Sequence, residues 1–173
     1  MRAGRLGSGP KVSLRERALR YLSQREHSRV ELARKLAPHA ESEDQLDQML
    51  DTLMADGWLS ESRFARSLVH RRAPRYGMHR IEAELDTHGL ALEADQALRA
   101  ELLASEPDRA WSAWLRRFGT QPLGAHDSLR QRRFLMQRGF SADTIRAVLQ
   151  RAREYSADPA SQRAPASNCQ AAS

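Results

Sequence analysis

Residues 78–90 read MHRIEAELDTHGL, and fifty residues further on the chain repeats the end of that phrase as FLMQRGF, residues 134–140. In the first stretch Met78, Ile81 and Leu85 recur at helical spacing, then Gly89-Leu90 follows Leu85 by four and five residues. Leu135 stands in the same relation to Gly139-Phe140. A glycine directly after a periodic apolar run ends a helix in left-handed geometry, and the apolar residue behind it packs back onto the last turn. Two such stops predict two helix ends of one design, and hence a repeated helical unit rather than a single irregular bundle.

Working outward, the same punctuation runs along most of the chain. Ser13 with Glu16, Ser28 with Glu31, and Ser42 with Gln45 each have the spacing of a capping box and predict three helix starts. Leu46, Met49, Leu50, Leu53 and Met54 mark the clearest helix; Asp56-Gly57 stops it, with Trp58 and Leu59 expected to fold back as apolar plugs and Ser60 to cap the next helix. Phe64, Ala65, Leu68 and Val69 begin a second triplet, broken at Pro74 and Gly77. Its second helix is the one quoted first, and Ala94, Leu98 and Leu102 mark its third. A third triplet carries a stripe of Ala110, Trp111, Trp114, Leu115 and Phe118, a polar helix around Leu129 and Leu135, and a last helix with Ile145, Val148, Leu149 and Ala152. The two tryptophans, at i and i+3, are expected in the core. Leu36 followed by Ala40-Glu41 reads as a degraded copy of the glycine stop. Val, Ile and Thr nowhere alternate with period two, so no strand is expected.

The reading is therefore all-α: three tandem three-helix, helix-turn-helix-like repeats. Its expected boundaries are a flexible basic arm at 1–12, repeats at 13–59, 60–104 and 105–154, and a disordered tail at 155–173 rich in Ala, Ser and Pro.

Composition narrows the function. Of 173 residues, 40% are hydrophobic and 29% charged, and the mean hydropathy is −0.68, which suits small modules with much exposed surface. No run approaches a membrane span, and the basic start lacks the apolar segment of a secretory signal, so the expected location is the cytoplasm. The single cysteine, Cys169, can neither close an intramolecular disulfide nor hold zinc alone. The six histidines match no metal motif, Gly4, Gly7 and Gly9 form no phosphate loop, and no nucleophile–base or paired-acid constellation is present. The expectation is a non-enzyme with no cofactor and no metal. The acids Glu41, Glu43, Asp44, Asp47, Asp51 and Asp56 read as the solvated face of one helix.

The net charge is +6 and the basic residues are 26 Arg against only Lys11 and Lys35, which points to a polyanionic partner. Residues 62–80 contain no acid and carry Arg63, Arg66, Arg71, Arg72, Arg75 and Arg80; residues 128–142 contain no acid and carry Arg130, Arg132, Arg133 and Arg138. These ten arginines are the candidate docking residues of an electrostatically steered surface.

The block DGWLSESRFARSLVHRRAPRYGMHRIEAELDTHGL, residues 56–90, resembles the central motif of the RecX regulatory proteins, with Gly57-Trp58-Leu59, Arg63-Phe64-Ala65 and Arg80-Ile81 in order at family-like spacing. RFLMQRGFSADTIRAVL, residues 133–149, resembles the family's C-terminal repeat, and ALRYLSQREHSRVELARKL, residues 18–36, its N-terminal one. Leu68 stands where an aromatic is common in the family, and Ala73-Pro74-Arg75-Tyr76-Gly77 is a variant of its Gly-rich turn. The resemblance implies that the three repeats form a curved, elongated array and that the protein is a modulator, mostly an inhibitor, of the RecA recombinase in recombination, DNA repair and the SOS response; a monomer is expected. Members lodge in the helical groove of the RecA–DNA filament and hinder ATP hydrolysis, strand exchange and coprotease activity. The alternative from composition alone is a general helical DNA-binding protein acting without RecA, and weak direct DNA binding is compatible with either reading.

Overall fold

A computed structural model of the chain describes residues 12–119 and 124–155. The basic arm up to residue 11 and the tail from residue 156, with Cys169, lie outside the described residues. Nine α-helices are present among the described residues, and no strand: α1 Leu14–Leu22, α2 Arg29–Leu36, α3 Glu43–Ala55, α4 Glu61–Arg72, α5 Met78–Asp86, α6 Gln96–Ala104, α7 Glu106–Arg117, α8 Ala125–Gln137 and α9 Ala142–Tyr155. They follow one another as three triplets. The helices form two compact units, one of residues 12–68 with 85–94, the other of residues 69–84 with 95–119 and 124–155.

In the first unit the caps operate, each in its own way. Ser13 and Glu16 make the full reciprocal box at 2.7 and 3.2 Å. Ser28 accepts from the Glu31 amide at 3.1 Å, but the Glu31 carboxylate does not reach back. It is buried, held by the Arg25 guanidinium and near Lys35. Burial would raise its pKa, but the Arg25 hydrogen bond and the neighbouring positive charges bring it below the ordinary carboxylate value. Ser42 accepts from Gln45, whose side chain accepts from the amide of Glu41 rather than Ser42. Ala18, Leu32, Leu36, Leu46, Leu50, Leu53 and Leu59 form this unit's core.

The glycine stops are where the chain was expected to turn. Gly57, Gly89 and Gly139 have φ of +75°, +72° and +76°. Behind them the amides of Leu59, Leu90 and Phe140 return to the carbonyls of Leu53, Leu85 and Leu135. Ala40 breaks the pattern: its φ is −82°, and a 3-10 turn, Ala37–His39, with Pro38 in its first turn, ends α2 instead. Trp58 does not fold back; it is 54% exposed, and Leu59 alone plugs the core. Ala94 does not open α6 but closes a 3-10 turn, because the Asp95 carboxylate accepts from the Leu98 amide and sets the helix start at Gln96.

The second unit is built around α7 and α9. Trp111 and Trp114 stack at 4.8 Å within a core that includes Leu135, Phe140, Ile145, Val148 and Ala152. Trp114 donates from its indole nitrogen to the buried Gln131 amide oxygen at 2.8 Å. Leu115, expected on the apolar stripe, is exposed. Tyr155, expected to open the tail, is the last residue of α9 and packs edge-on against Trp111.

Candidate docking surface

In the first unit, Arg63 has most of its donors occupied. Its Nε donates to Glu26 at 2.8 Å and one Nη donates to the carbonyls of Gly57 and Trp58, so it clamps the turn between α3 and α4. Arg66 is exposed on α4 and has a partner of its own.

The other eight candidate arginines belong to the second unit, and their arrangement begins with a turn. Residues 73–77 join α4 to α5, and almost every polar group there is tied down. Arg109, on α7, forks onto it: one Nη donates to the carbonyls of Ala73 and Tyr76 at 3.0 and 2.6 Å, the other to Leu102 at 2.7 Å. Burial holds its pKa below the ordinary arginine value, opposed by the nearby charge of Glu106. Arg116 adds a bond to the Pro74 carbonyl at 2.8 Å. The backbone of the turn also pairs with the stop between α8 and α9: the Gly77 amide donates to the Arg138 carbonyl at 2.8 Å and the His79 amide to Gly139 at 3.1 Å. That approach is so close that a Cβ on Gly139 would lie 2.5 Å from the Arg80 nitrogen. Glycine is required at both turns because no side chain fits between the two backbones.

Beneath them lies Glu106, 2% exposed. Its carboxylate accepts from the Met78 amide, the Ser141 hydroxyl and the Thr144 hydroxyl, each at 2.9 Å. One side chain on α7 thus holds the starts of α5 and α9 together. Burial works against its charge, but hydrogen bonds from Met78, Ser141 and Thr144 outweigh it and leave the pKa below the usual carboxylate value.

This scaffold brings Arg75 and Tyr76 from the turn beside Arg116 and Arg117 from the end of α7, with Phe134 of α8 and Arg138 just past its end, around a groove of about 380 Å³. Arg117 and Phe134 also wall a neighbouring groove of about 420 Å³, where Phe118, His126, Arg130 and Arg133 join them. The guanidinium groups lie over the rings: Arg138 is 3.8 Å from the centroid of Phe134, and Arg117 and Arg130 are each 5.6 Å from that of Phe118. Among the described residues no carboxylate lines either groove, and Asp127 stands 4.0 Å from Arg130 at the margin. Chemically such an arrangement is suited to anions between aromatic walls, since planar guanidinium forks match phosphate or carboxylate oxygens two at a time.

Of the ten sequence candidates, Arg75, Arg130, Arg133 and Arg138 therefore line this double groove. Arg72 is paired with Glu84 at 2.6 Å, and Arg71 also has a partner. Arg80 is exposed on α5 outside both grooves, and Arg132 lies on another face of α8. Arg116, Arg117, Phe118, His126 and Phe134 were not among the candidates. A signal for the first two was present, because residues 109–126 contain no acid and three arginines. Among the described residues no cluster of metal-ligating side chains occurs, and no helix is long and apolar enough to cross a membrane.

Comparison with known proteins places this geometry in context. Family models described as the first and the third three-helix domains of RecX match residues 15–53 and 105–149. The chain is 51% identical over 139 residues to the Regulatory protein RecX of Ralstonia nicotianae, covering 80% of this chain and 87% of that one. It is 52% identical over 142 residues to that of Leptothrix cholodnii, covering 81% and 89%. The crystal structure of RecX from Lactobacillus salivarius superposes with a TM-score of 0.63 at 19% identity, over 80% of this chain and 94% of that one, a likeness of fold.

Proposed function

Since the chain belongs to the RecX family of regulatory proteins, we propose that it regulates a RecA-type recombinase by docking on the recombinase–DNA filament, and that it does so without catalysis of its own. The observation that carries this reading in the molecule is the double groove of the second unit. Six arginines and three aromatic rings converge there with no lining carboxylate. A filament presents carboxylates on protein and phosphates on DNA, and either satisfies the guanidinium forks. The repeats at 13–59, 60–104 and 105–154 serve as successive contact modules, so that modest contacts add through effective concentration. The setting is the cytoplasm, where recombination and DNA repair take place.

The test is a titration of the chain into filaments of recombinase on single-stranded DNA, followed by ATP hydrolysis and by electron microscopy. Sub-stoichiometric chain slows hydrolysis and shortens filaments. A variant with Arg75, Arg117 and Arg133 changed to Glu loses most of that effect while keeping its helix content. An unchanged hydrolysis rate across the whole titration would count against the reading. A second reading, direct binding to single-stranded DNA without recombinase, draws on the same aromatic-walled grooves, because bases stack on rings while arginines take the phosphates. It predicts affinity falling steeply with salt, measured with labelled oligonucleotide alone.

A further inference from the structure

Arg132 is adjacent in sequence to Arg133, yet it faces a different depression. On that side of α8 it joins Arg146 and Arg153 of α9 around a groove of about 320 Å³. The floor is aliphatic: Ala142 and the half-buried Leu149 over the buried Ile145. Arg146 and Arg153 are seven residues apart, which places them two helical turns, about 10 Å, from one another along α9. Arg146 is paired with Asp143 at 3.0 Å, but both side chains are largely exposed, at 76% and 87%. A pair so open to water contributes little and is readily exchanged for another carboxylate.

The chemistry of this groove differs from that of the double groove. No aromatic ring lines it, so it offers nothing on which a base could stack. What it offers is an aliphatic seat between guanidinium groups, which is the complement of a leucine-like side chain flanked by carboxylates. The chain's own residues after Tyr155 do not have that character, since they hold one acid, Asp158, against one Arg163.

We propose that the α8–α9 groove is a second docking site, for an acidic amphipathic helix of a protein partner. One aliphatic side chain of that helix rests on Ala142 and Leu149, and carboxylates a turn to either side meet Arg132, Arg146 and Arg153. The double groove and this one then divide the arginines of α8 and its cap by partner chemistry: Arg130, Arg133 and Arg138 serve planar or phosphate-bearing groups, and Arg132 serves protein. The proposal stands apart from the recombinase reading, because it concerns a groove that the double site does not share.

The probe is a fluorescein-labelled helical peptide of leucine, alanine and glutamate with its glutamates flanking a leucine stripe. It is titrated with the full chain and followed by anisotropy. Two control peptides replace every glutamate by lysine or every leucine by serine. The glutamate–leucine peptide binds, and both controls bind at least tenfold more weakly. Changing Arg132→Glu together with Arg153→Glu weakens binding at least tenfold. The charge-matched pair Arg20→Glu with Arg34→Glu, on exposed positions of α1 and α2, changes it less than twofold. Binding of the serine control as tight as that of the leucine peptide would reduce the site to general charge attraction and overturn the proposal. So would equal effects of the two double variants, no binding of the glutamate–leucine peptide, or a tenfold gain in affinity on deleting residues 156–173, which would make the chain's own tail the occupant.

Discussion

Replacing Glu106 by alanine removes the acceptor that ties three helices of the second unit. Each of its three bonds is charge-assisted and 2.9 Å long, and bonds of this kind contribute about 1.5–3 kcal/mol apiece. They do not simply add. The carboxylate is 2% exposed, so its removal also removes a desolvation cost. The two hydroxyls can rotate, and Ser141 keeps its cap on the Thr144 amide at 3.2 Å. The Met78 amide has no such freedom and remains a buried donor without a partner, at about 1–3 kcal/mol. The expected net loss is about 3 kcal/mol for Glu106→Ala. For Glu106→Gln it is about 1 kcal/mol, because the amide oxygen still serves Met78 and the amide nitrogen faces hydroxyl oxygens that can accept. Because the folded pKa is depressed, the carboxylate stabilises the fold above the unfolded value of about 4.3 and loses that contribution as pH falls through the folded value. The gap between wild type and Glu106→Gln therefore narrows in acid. Tryptophan fluorescence, reporting from Trp111 and Trp114 in the same unit, follows urea unfolding, and hydrogen exchange reads the Met78 amide directly. A loss under about 1 kcal/mol for the alanine variant, or a Met78 amide as protected as in wild type, would refute the account of Glu106 as the tie.

Gly57→Ala and Gly139→Ala start from the same backbone, φ +75° and +76°, but nothing lies within 4 Å of a Cβ on Gly57 whereas one on Gly139 meets Arg80. The first costs about 1 kcal/mol of left-handed strain and the second at least about 3 kcal/mol as the paired turns separate; equal urea midpoints would contradict the close approach. His27 is 1% exposed, donates from Nδ1 to the Arg25 carbonyl at 2.9 Å and has no hydrogen-bond partner at Nε2. Burial depresses its pKa, so the unfolded chain takes the proton first, and stability falls as pH drops below the unfolded value of about 6.5. Denaturation at pH 7 and pH 5 should show a slope that His27→Gln lessens; an unchanged slope would assign it to other groups. Trp58→Ser changes stability by less than about 0.5 kcal/mol because the side chain is half in water. Trp114→Phe costs about 2 kcal/mol, since it strips the buried Gln131 oxygen of its donor.

What the sequence determined by itself was everything local. Helix starts and stops depend on residues three to five apart, so Ser13, Gly57, Gly89 and Gly139 could be read in place, and with them the threefold helical plan. The exceptions were also local contests: Pro38 closing α2 in a 3-10 turn where a glycine stop was expected, and Asp95 capping α6 past Ala94. Charge was legible only as runs. A run of arginines along α8 has no direction until the helix is packed, because successive residues are rotated by about 100°. Packing against α7 and α9 sent Arg133 to one groove and Arg132 to another, and drew in Arg116 and Arg117 from α7. It also gave Glu106, unremarkable in sequence, the starts of two helices to hold; in the first unit, the approach of Glu26 and the 57–58 turn fixed Arg63 on that turn. The bonds of Glu106 join residues 28, 35 and 38 positions apart, and pairings at that distance are settled by tertiary packing rather than by any local pattern.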